Sequence, residues 1–252
     1  MNVESRERII RSTVHISMLE PLNKIPVSIG SGCLVDYSGK KILLTAAHVT
    51  NKEAGACIDM GEPPVNGQTK LYSVGTMNYL LQFNLNQIDE QVTLIDWEPT
   101  RIEAKAFGEI DFGYVEIKED LQLLQHAIAE LEIRAGKKEI IHTNLADVPT
   151  ASHEYGFFGR TKPSLYRTAT THLFELQEVF YGGLRYVEKI NHFYCFELPA
   201  EIKNYKDFKG TSGAPIMDQS GRVVALITHG YLNDNKIYGV AVSDFRSVLD
   251  VL

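Results

Sequence analysis

The stretch GTSGAPIMDQSGRVVAL, residues 210–226, decides the fold class of this chain. It opens with a glycine-rich turn, Gly210-Thr-Ser-Gly-Ala-Pro215, which leads into an apolar run at Ile216. Asp218-Gln-Ser-Gly221 then separates this run from a second one at Val223-Val224. Asp, Ser and Gly between two short apolar runs are typical of a β-hairpin turn. The stretch therefore predicts two antiparallel strands entered through a tight turn.

The same pattern recurs along the chain. Asp36-Tyr-Ser-Gly39 lies between the apolar segments Cys33-Leu-Val35 and Ile42-Leu-Leu44, which predicts another hairpin. Further β-type runs bounded by turn formers occur at 26–34, 41–46, 71–74, 91–95 and 112–117. Runs of this length and spacing favour an all-β protein built from antiparallel sheet.

Two segments have helical periodicity instead. In the segment 119–134, apolar residues recur at spacings of three and four, at Leu121, Leu124, Ile128 and Leu131. This spacing predicts a helix. Near the C-terminus, Ser243 is a suitable N-cap for a helix with one apolar face, formed by Phe245, Val248 and Leu249.

Composition limits the partners that the chain can have. With 252 residues, 44% of them apolar, the chain can bury a large core. The formal net charge is −7 and no run of Lys or Arg exceeds two residues, which argues against a nucleic-acid partner. No stretch approaches the about 18 to 20 apolar residues of a membrane span, and residues 1–11 lack the apolar core of a secretory signal. We therefore expect a cytoplasmic protein with no membrane partner.

The cysteine content agrees with this location. The chain has three cysteines and no C-x-x-C pair, at Cys33, Cys57 and Cys195. An odd and sparse set argues against a disulfide framework and against a structural zinc site. We expect buried thiols in a reducing compartment, and the sequence indicates no metal, nucleotide or other cofactor.

Three motifs carry residues suited to nucleophilic catalysis. In the first, Gly210 and Gly213 flank Ser212, and glycines at these positions allow a turn that exposes the serine oxygen. Such a turn can also aim the amides of Gly210 and Ser212 at one point, as an oxyanion hole requires. The alternative is an ordinary surface turn, because Gly, Ser and Pro are common turn formers.

The second and third motifs supply a base and a carboxylate. His48 follows an apolar strand and two alanines that leave space around the ring, and a neutral histidine is a competent base near pH 7. Asp111 opens an apolar strand, where a carboxylate is costly unless it accepts hydrogen bonds from a partner. The alternatives are a structural histidine and a solvated aspartate, with Asp89 and Asp96 as competing carboxylates.

Four motifs together resemble the landmarks of the chymotrypsin-like (trypsin-like) serine peptidases, and the catalytic types occur in that family's order, His, Asp, Ser. The motifs are Gly30-Ser-Gly-Cys-Leu-Val35, Thr45-Ala-Ala-His48, Asp111-Phe-Gly-Tyr-Val115 and Gly210-Thr-Ser-Gly-Ala-Pro215. The resemblance implies two six-stranded antiparallel Greek-key β-barrels with an inter-barrel helix and a C-terminal helix. We accordingly divide the chain into a first barrel at 1–120, a helix and linker at 121–147, and a second barrel at 148–252.

The resemblance also implies a function and a role for each residue. Ser212 would be the nucleophile, His48 the general base and acid, and Asp111 the group that orients the histidine, with the oxyanion hole formed by the amides of Gly210 and Ser212. The chain would then be a serine endopeptidase that acts on a protein or peptide substrate through an acyl-enzyme.

The chain departs from the secreted members of the family in two ways. Thr211 stands where they have an aspartate that pairs with a cleaved N-terminus, so we expect no activation by N-terminal trimming. Gly30 and Val49 stand where they have a cysteine pair beside the histidine. The missing cysteine pair, taken with the absence of a visible secretory signal in residues 1–11, favours an intracellular bacterial or viral-type branch.

Substrate specificity is predicted from the S1 pocket of the family. The position six residues before the serine is Lys206, and a lysine at the base of that pocket would favour an acidic P1 side chain. The pocket wall would be Thr228, His229 and Gly230. Two alternatives stay open: Asp207 and Lys209 could neutralise or replace Lys206, or Lys206 is an exposed residue of a charged loop.

The sequence argues against an α/β-hydrolase and leaves a binding function open. An α/β-hydrolase needs G-x-S-x-G, but Ala214 stands at the last position. A module with a protease fold that binds a peptide or protein partner while turning over little or nothing stays open, because a fold does not guarantee activity. A regulatory protein partner is one way in which a cytoplasmic peptidase could be restrained.

Overall fold

The computed structural model describes residues 1–20, 26–50, 54–65, 69–83, 107–167 and 172–252. Two β-systems make up most of it. The first half of the chain forms an eight-stranded sheet, and the second half forms a closed six-stranded barrel. The prediction of an all-β protein is confirmed.

The strands of the first half follow in the order β5-β4-β1-β2-β3-β7-β6, and β10 adds to β2 in parallel. Their bounds are β1 Thr13–Leu19, β2 Pro26–Tyr37, β3 Lys40–Thr45, β4 Gly55–Asp59, β5 Leu71–Gly75, β6 Asn78–Phe83, β7 Phe107–Glu116, β8 Leu124–Gln125, β9 Gly136–Lys137 and β10 Ile141–His142. Within the described ranges, the short strands β8 and β9 pair with each other and with no other strand. The predicted hairpin joins β2 to β3 through Ser38 and Gly39, whose φ angles of 53° and 81° are those of a tight two-residue turn.

The second half closes into a barrel in the order β11-β12-β13-β16-β15-β14, with antiparallel pairing throughout. Its strands are β11 Glu154–Arg167, β12 His172–Ile190, β13 Phe193–Glu197, β14 Pro215–Asp218, β15 Val223–Gly230 and β16 Lys236–Ala241. The predicted hairpin at 218–221 is confirmed. Asp218 shapes its turn, since Oδ1 accepts hydrogen bonds from the amides of Ser220 and Arg222.

The two predicted barrels are therefore found only in part. The second is closed and six-stranded, but the first has eight strands, one of them parallel, and does not close within the described residues. The predicted strand 91–95 lies outside those residues. The two halves share one apolar core, in which Leu44 and Phe112 of the first sheet join Phe158 and Leu226 of the barrel.

The predicted helix at 119–134 is wrong. This segment contains β8 and a 3₁₀ helix at Ala129–Leu131, and Glu132 ends that helix in the left-handed conformation. Its backbone makes hydrogen bonds outside the segment, because the Leu124 amide donates to Met60 O and Leu123 O accepts from Lys138. Hydrogen bonds from this backbone to distant residues thus prevent the helix that the spacing of the apolar side chains predicts.

The predicted C-terminal helix is shorter than expected. A 3₁₀ turn at Val242–Phe245 runs into a single turn of helix, α3, at Arg246–Leu249. Ser243 lies inside the 3₁₀ turn, where its Oγ is 3.1 Å from Tyr194 Oη, and does not cap the helix. The apolar side of the segment is buried as predicted, with Phe245 and Leu249 in the shared core.

Two helices were not predicted. The helix α1 at Val3–Ser12 begins at Asn2, whose side chain accepts a hydrogen bond from the Ser5 amide, and it buries Ile9 and Ile10 in the shared core. Asn2 and the apolar pair were visible signals for it. The one-turn helix α2 at Ala47–Thr50 carries His48. Within the described ranges, none of the helices is long and apolar enough to cross a membrane.

Candidate active site

The pairing of β3 with β7 brings His48 beside Asp111. Thr45 at the end of β3 lies opposite Gly113, so Asp111, two residues earlier in β7, reaches the start of α2. His48 Nδ1 lies 2.8 Å from Asp111 Oδ2 and 3.0 Å from Oδ1, and the His48 amide donates to Oδ1 at 2.9 Å. These contacts place the ring proton on Nδ1 and leave the Nε2 lone pair available to accept a proton.

The carboxylate of Asp111 is ionised in this setting. Burial alone would raise its pKa, but the hydrogen bonds and charge of His48 offset that effect and lower the pKa below its ordinary value. The Asp111 side chain is 22% exposed and that of His48 is 49% exposed. The histidine is therefore about half-exposed to solvent, and its carboxylate partner is the more buried of the two.

The turn that carries Ser212 depends on its glycines. Gly210 has φ +106° and Gly213 has φ +82°, conformations that other residues rarely adopt. A side-chain carbon at Gly213 would overlap Ser31 O and Thr45 Oγ1. Gly213 thus lets the serine turn approach the end of β3, three residues before His48.

Ser31 fixes the same turn from the first sheet. Its amide donates to Ser212 O at 2.8 Å, and its hydroxyl donates to Gly210 O at 2.9 Å. Within the described part of the chain, the amides of Gly210 and Ser212 donate to no protein acceptor. Two uncommitted amides on one glycine-rich turn can serve as an oxyanion hole. Sequence reasoning missed Ser31, although its position between Gly30 and Gly32 was a signal of close backbone approach.

The serine turn lies close to the segment that carries His48, but the serine and the histidine are not hydrogen bonded. At Gly30, a side-chain carbon would lie 2.5 Å from the side chain of Val49, the residue after His48, and 3.0 Å from Ser212 O. Among the described residues, Ser212 Oγ has no hydrogen-bond partner, and His48 is bonded only to Asp111. In enzymes that use this pair, the hydrogen bond often tightens only when substrate binds.

A cavity of about 210 Å³ opens beside Ser212, and we call it the S1 cavity. The predicted wall residues Thr228, His229 and Gly230 line it, and most of its other lining residues are apolar: Ile202, Tyr205, Phe208, Ile227, Leu232 and Ile237. Lys206 is not brought to it. That residue is exposed in a 3₁₀ turn, and the lysine that lines the cavity is Lys209.

His229 is a second imidazole at the site. Its ring stacks on Tyr238 at 4.8 Å between centroids, and Thr228 Oγ1 lies 2.9 Å from its Nδ1. Because the single hydroxyl proton of Thr228 goes to Tyr238 O, His229 must be the donor from Nδ1, and its Nε2 carries a lone pair. Burial lowers the pKa of His229; Asp111 opposes this effect and the charge of His48 adds to it. The ring is therefore neutral near pH 7.

The departures from secreted peptidases have structural counterparts. Thr211 is buried, and its hydroxyl donates to Phe208 O at 2.8 Å. The hydroxyl thus has its hydrogen-bond partner within the turn and needs none from the N-terminus. Gly30 and Val49 are adjacent in space, and neither residue carries a thiol, so no disulfide forms at this place. All three cysteines are buried. The competing carboxylates Asp89 and Asp96 lie outside the described residues.

The described fold, a mostly β structure with one closed barrel, is similar to the fold of a serine protease of solved structure. One solved structure that shares it is the serine endoprotease from Yersinia pestis, with a TM-score of 0.54 and 13% sequence identity. The match covers 100% of this chain and 66% of that one, so the chain spans just under two thirds of the length of its structural neighbour. At this identity the likeness concerns the fold. No family model matches the chain, and no curated protein matches it.

Proposed function

We propose that the chain is a serine endopeptidase that cleaves protein or peptide substrates through an acyl-enzyme. The observation that carries this proposal is the contact of His48 with Asp111 close to the turn of Ser212, which lies across Gly30 from Val49, the residue after His48. We place His48 and Asp111 on the N-terminal unit, 1–120, and Ser212 on the C-terminal unit, 148–252. A histidine fixed by a carboxylate beside a serine on a glycine turn is the arrangement that activates a hydroxyl nucleophile.

Each group has one role in the proposed reaction. Ser212 Oγ attacks the carbonyl carbon of the scissile bond, while His48 Nε2 takes the hydroxyl proton and Asp111 stabilises the imidazolium. The amides of Gly210 and Ser212 hydrogen bond to the oxyanion. His48 then protonates the leaving amine, and the same steps with water release the acid and restore Ser212.

The lining of the S1 cavity supports an aliphatic P1 side chain rather than an acidic one. Its walls are mainly apolar, and Lys206, on which the acidic preference depended, does not line it. A carboxylate in this cavity would have only Lys209 as a cationic partner at the wall. Burial of an aliphatic side chain needs no such partner.

The second candidate function is a protease-fold module that binds a peptide or protein partner without turnover. The observation in its favour is that Ser212 Oγ does not bond to His48 within the described residues. The amides of Gly210 and Ser212 could then bind a carbonyl or carboxylate oxygen of a partner. A regulatory partner that completes the serine–histidine contact would combine the two functions.

Labelling with a fluorophosphonate probe separates the two candidates. An endopeptidase forms an adduct on Ser212, which mass spectrometry locates, and the Ser212→Ala variant is not labelled. Ser220→Ala, in the hairpin turn between β14 and β15, is the matched control and keeps full labelling. Absence of a Ser212 adduct in the wild-type protein, together with binding of peptides that stay intact, would establish the binding module instead.

The proposed cytoplasmic location rests on the cysteines. All three are buried, and the place of the secreted family's disulfide is occupied by Gly30 and Val49. An intracellular bacterial or viral-type enzyme fits these features. Fractionation of cells that carry the full gene, with detection of the protein outside the cytoplasm, would contradict the proposal.

A further inference from the structure

A second and larger cavity, of about 610 Å³, lies beside the serine turn, and we call it the Arg160 cavity. Ile29 and Arg160 line it, and both also border Gly210: a side-chain carbon at Gly210 would lie 3.3 Å from Ile29 Cδ1 and would overlap Arg160 O. The Arg160 cavity shares no lining residue with the S1 cavity. A peptide that fills the S1 cavity and crosses Ser212 therefore has this second cavity available for residues after the scissile bond.

The lining of the Arg160 cavity combines apolar side chains with the polar residues His15, Ser17, Asp59, Thr69 and Arg160. Its apolar lining consists of Ile16, Leu19, Pro26, Ile29, Leu71 and Leu176. Arg160 Nε donates to Glu178 Oε1 at 3.0 Å, and Nη1 donates to Asp59 Oδ2. Across the described ranges, Nη2 donates to no protein acceptor and is not among the buried unpaired atoms. The guanidinium thus has N–H groups left for an acceptor on a ligand.

The net charge of the groups around Arg160 determines which kind of hydrogen-bond acceptor the cavity can bind. The cations Arg160 and Lys138 face the carboxylates Asp59 and Glu178, and burial, reinforced by the charge of Arg160, lowers the pKa of Lys138 to about 7. His15 is buried and its pKa lies well below the ordinary value, so it adds no charge. The four charged groups therefore sum to between zero and minus one near pH 7. A carboxylate on the ligand would have no free positive charge to balance it. A cationic side chain on the ligand would be repelled by the Arg160 guanidinium.

We propose that the Arg160 cavity is a leaving-group subsite that takes a long, uncharged side chain ending in a hydrogen-bond acceptor, glutamine above all, at the first or second residue after the scissile bond. The methylene groups of glutamine would pack on the apolar walls, and its carbonyl oxygen would accept from Arg160 Nη2. This inference rests on the proposed function, because it names the substrate class of the same site.

The test compares peptides that share one aliphatic P1 residue and carry Gln, Glu, Lys or Leu at the first or second following position. We expect kcat/KM for one Gln peptide to exceed those of its Glu, Lys and Leu counterparts by about tenfold, as one hydrogen bond to a charged donor allows. Arg160→Lys keeps the charge and removes the Nη2 donor. It is expected to bring the Gln and Leu peptides within about twofold of each other.

Because Arg160→Lys also changes the ion pairs of Arg160 with Asp59 and Glu178, a second variant tests the cavity without altering them. Leu71→Trp fills the cavity from its wall, and is expected to abolish the preference for Gln while short side chains are still accepted. Val187→Trp makes a similar enlargement at a half-exposed position of β12 away from both cavities, and should retain the preference.

The outcomes distinguish the two proposals. Ser212-dependent cleavage with no preference for Gln, or with a preference that survives both Arg160→Lys and Leu71→Trp, overturns the subsite and leaves the peptidase. No Ser212-dependent cleavage of any peptide overturns both.

Discussion

At the scale of single residues, the proposed chemistry depends on which nitrogen of His48 carries the proton. Asp111 accepts from Nδ1, so the lone pair of Nε2 is available for the serine proton. In Asp111→Asn, the side-chain amide can instead donate to Nδ1, which favours the wrong tautomer. We expect kcat/KM to fall by roughly 10³- to 10⁴-fold, measured with a peptide substrate, while the fold is retained.

Asp120→Asn is the matched control for this substitution, because Asp120 is an exposed carboxylate that pairs with Lys41. Its activity is expected to equal that of the wild-type protein. A loss of less than tenfold in Asp111→Asn would show that the carboxylate does not orient the base, and the proposed role of Asp111 would have to be abandoned.

At the scale of elements, the serine turn is set by local conformation and by close packing together. Gly210 has φ +106°, and a side-chain carbon added there would overlap Arg160 O. Gly39, in the β2–β3 hairpin, has φ +81°, and a side-chain carbon added there would meet no other atom within 4 Å. Gly39→Ala is expected to cost only the roughly 1 to 2 kcal/mol of a left-handed residue. Gly210→Ala adds a steric overlap, so we expect a larger loss of stability and loss of Ser212 labelling.

Urea unfolding and fluorophosphonate labelling of the two variants, measured side by side, check this prediction. Equal stability of the two variants, or full labelling of Gly210→Ala, would show that the turn can adopt another conformation without cost to the site.

At the scale of the whole molecule, His15 links the two β-systems. It lies on β1 of the first sheet and packs 5.7 Å from the ring of Phe158 in the barrel. Burial, with the charge of Arg160, lowers its pKa well below the ordinary value of 6.5. In the unfolded chain His15 binds a proton as the pH falls through 6.5, and in the folded chain it does not, so protonation favours the unfolded state.

The stability of the wild-type protein should therefore fall from pH 6.5 downwards, by up to about 1.4 kcal/mol per pH unit from this one group. His15→Phe removes the group and should flatten the dependence by that amount, as measured by urea unfolding at pH 7.5 and 5.5. His142→Phe, at an exposed histidine, should behave as the wild-type protein does. The same slope in His15→Phe would mean that His15 is protonated in the folded state.

Features that depend on neighbouring residues could be predicted from the sequence alone. Both hairpins were predicted from their turn residues, because Ser38 with Gly39, and Asp218 with Gly221, stabilise turns by local conformation and local hydrogen bonds. The candidate residues His48, Asp111 and Ser212 were found because their motifs have a recognisable local pattern. The helix α1 could have been predicted in the same way from Asn2.

The remaining features depend on tertiary contacts, because hydrogen bonds to distant backbone groups override local preference. The segment 119–134 has helical spacing, yet its hydrogen bonds go to Met60 and Lys138, so it forms no α-helix. The contact of Ser31 with the serine turn, the replacement of Lys206 by Lys209 at the S1 cavity, and the Arg160 cavity all join residues far apart in the chain. Their distances depend on how the sheet and the barrel pack, which no local pattern specifies.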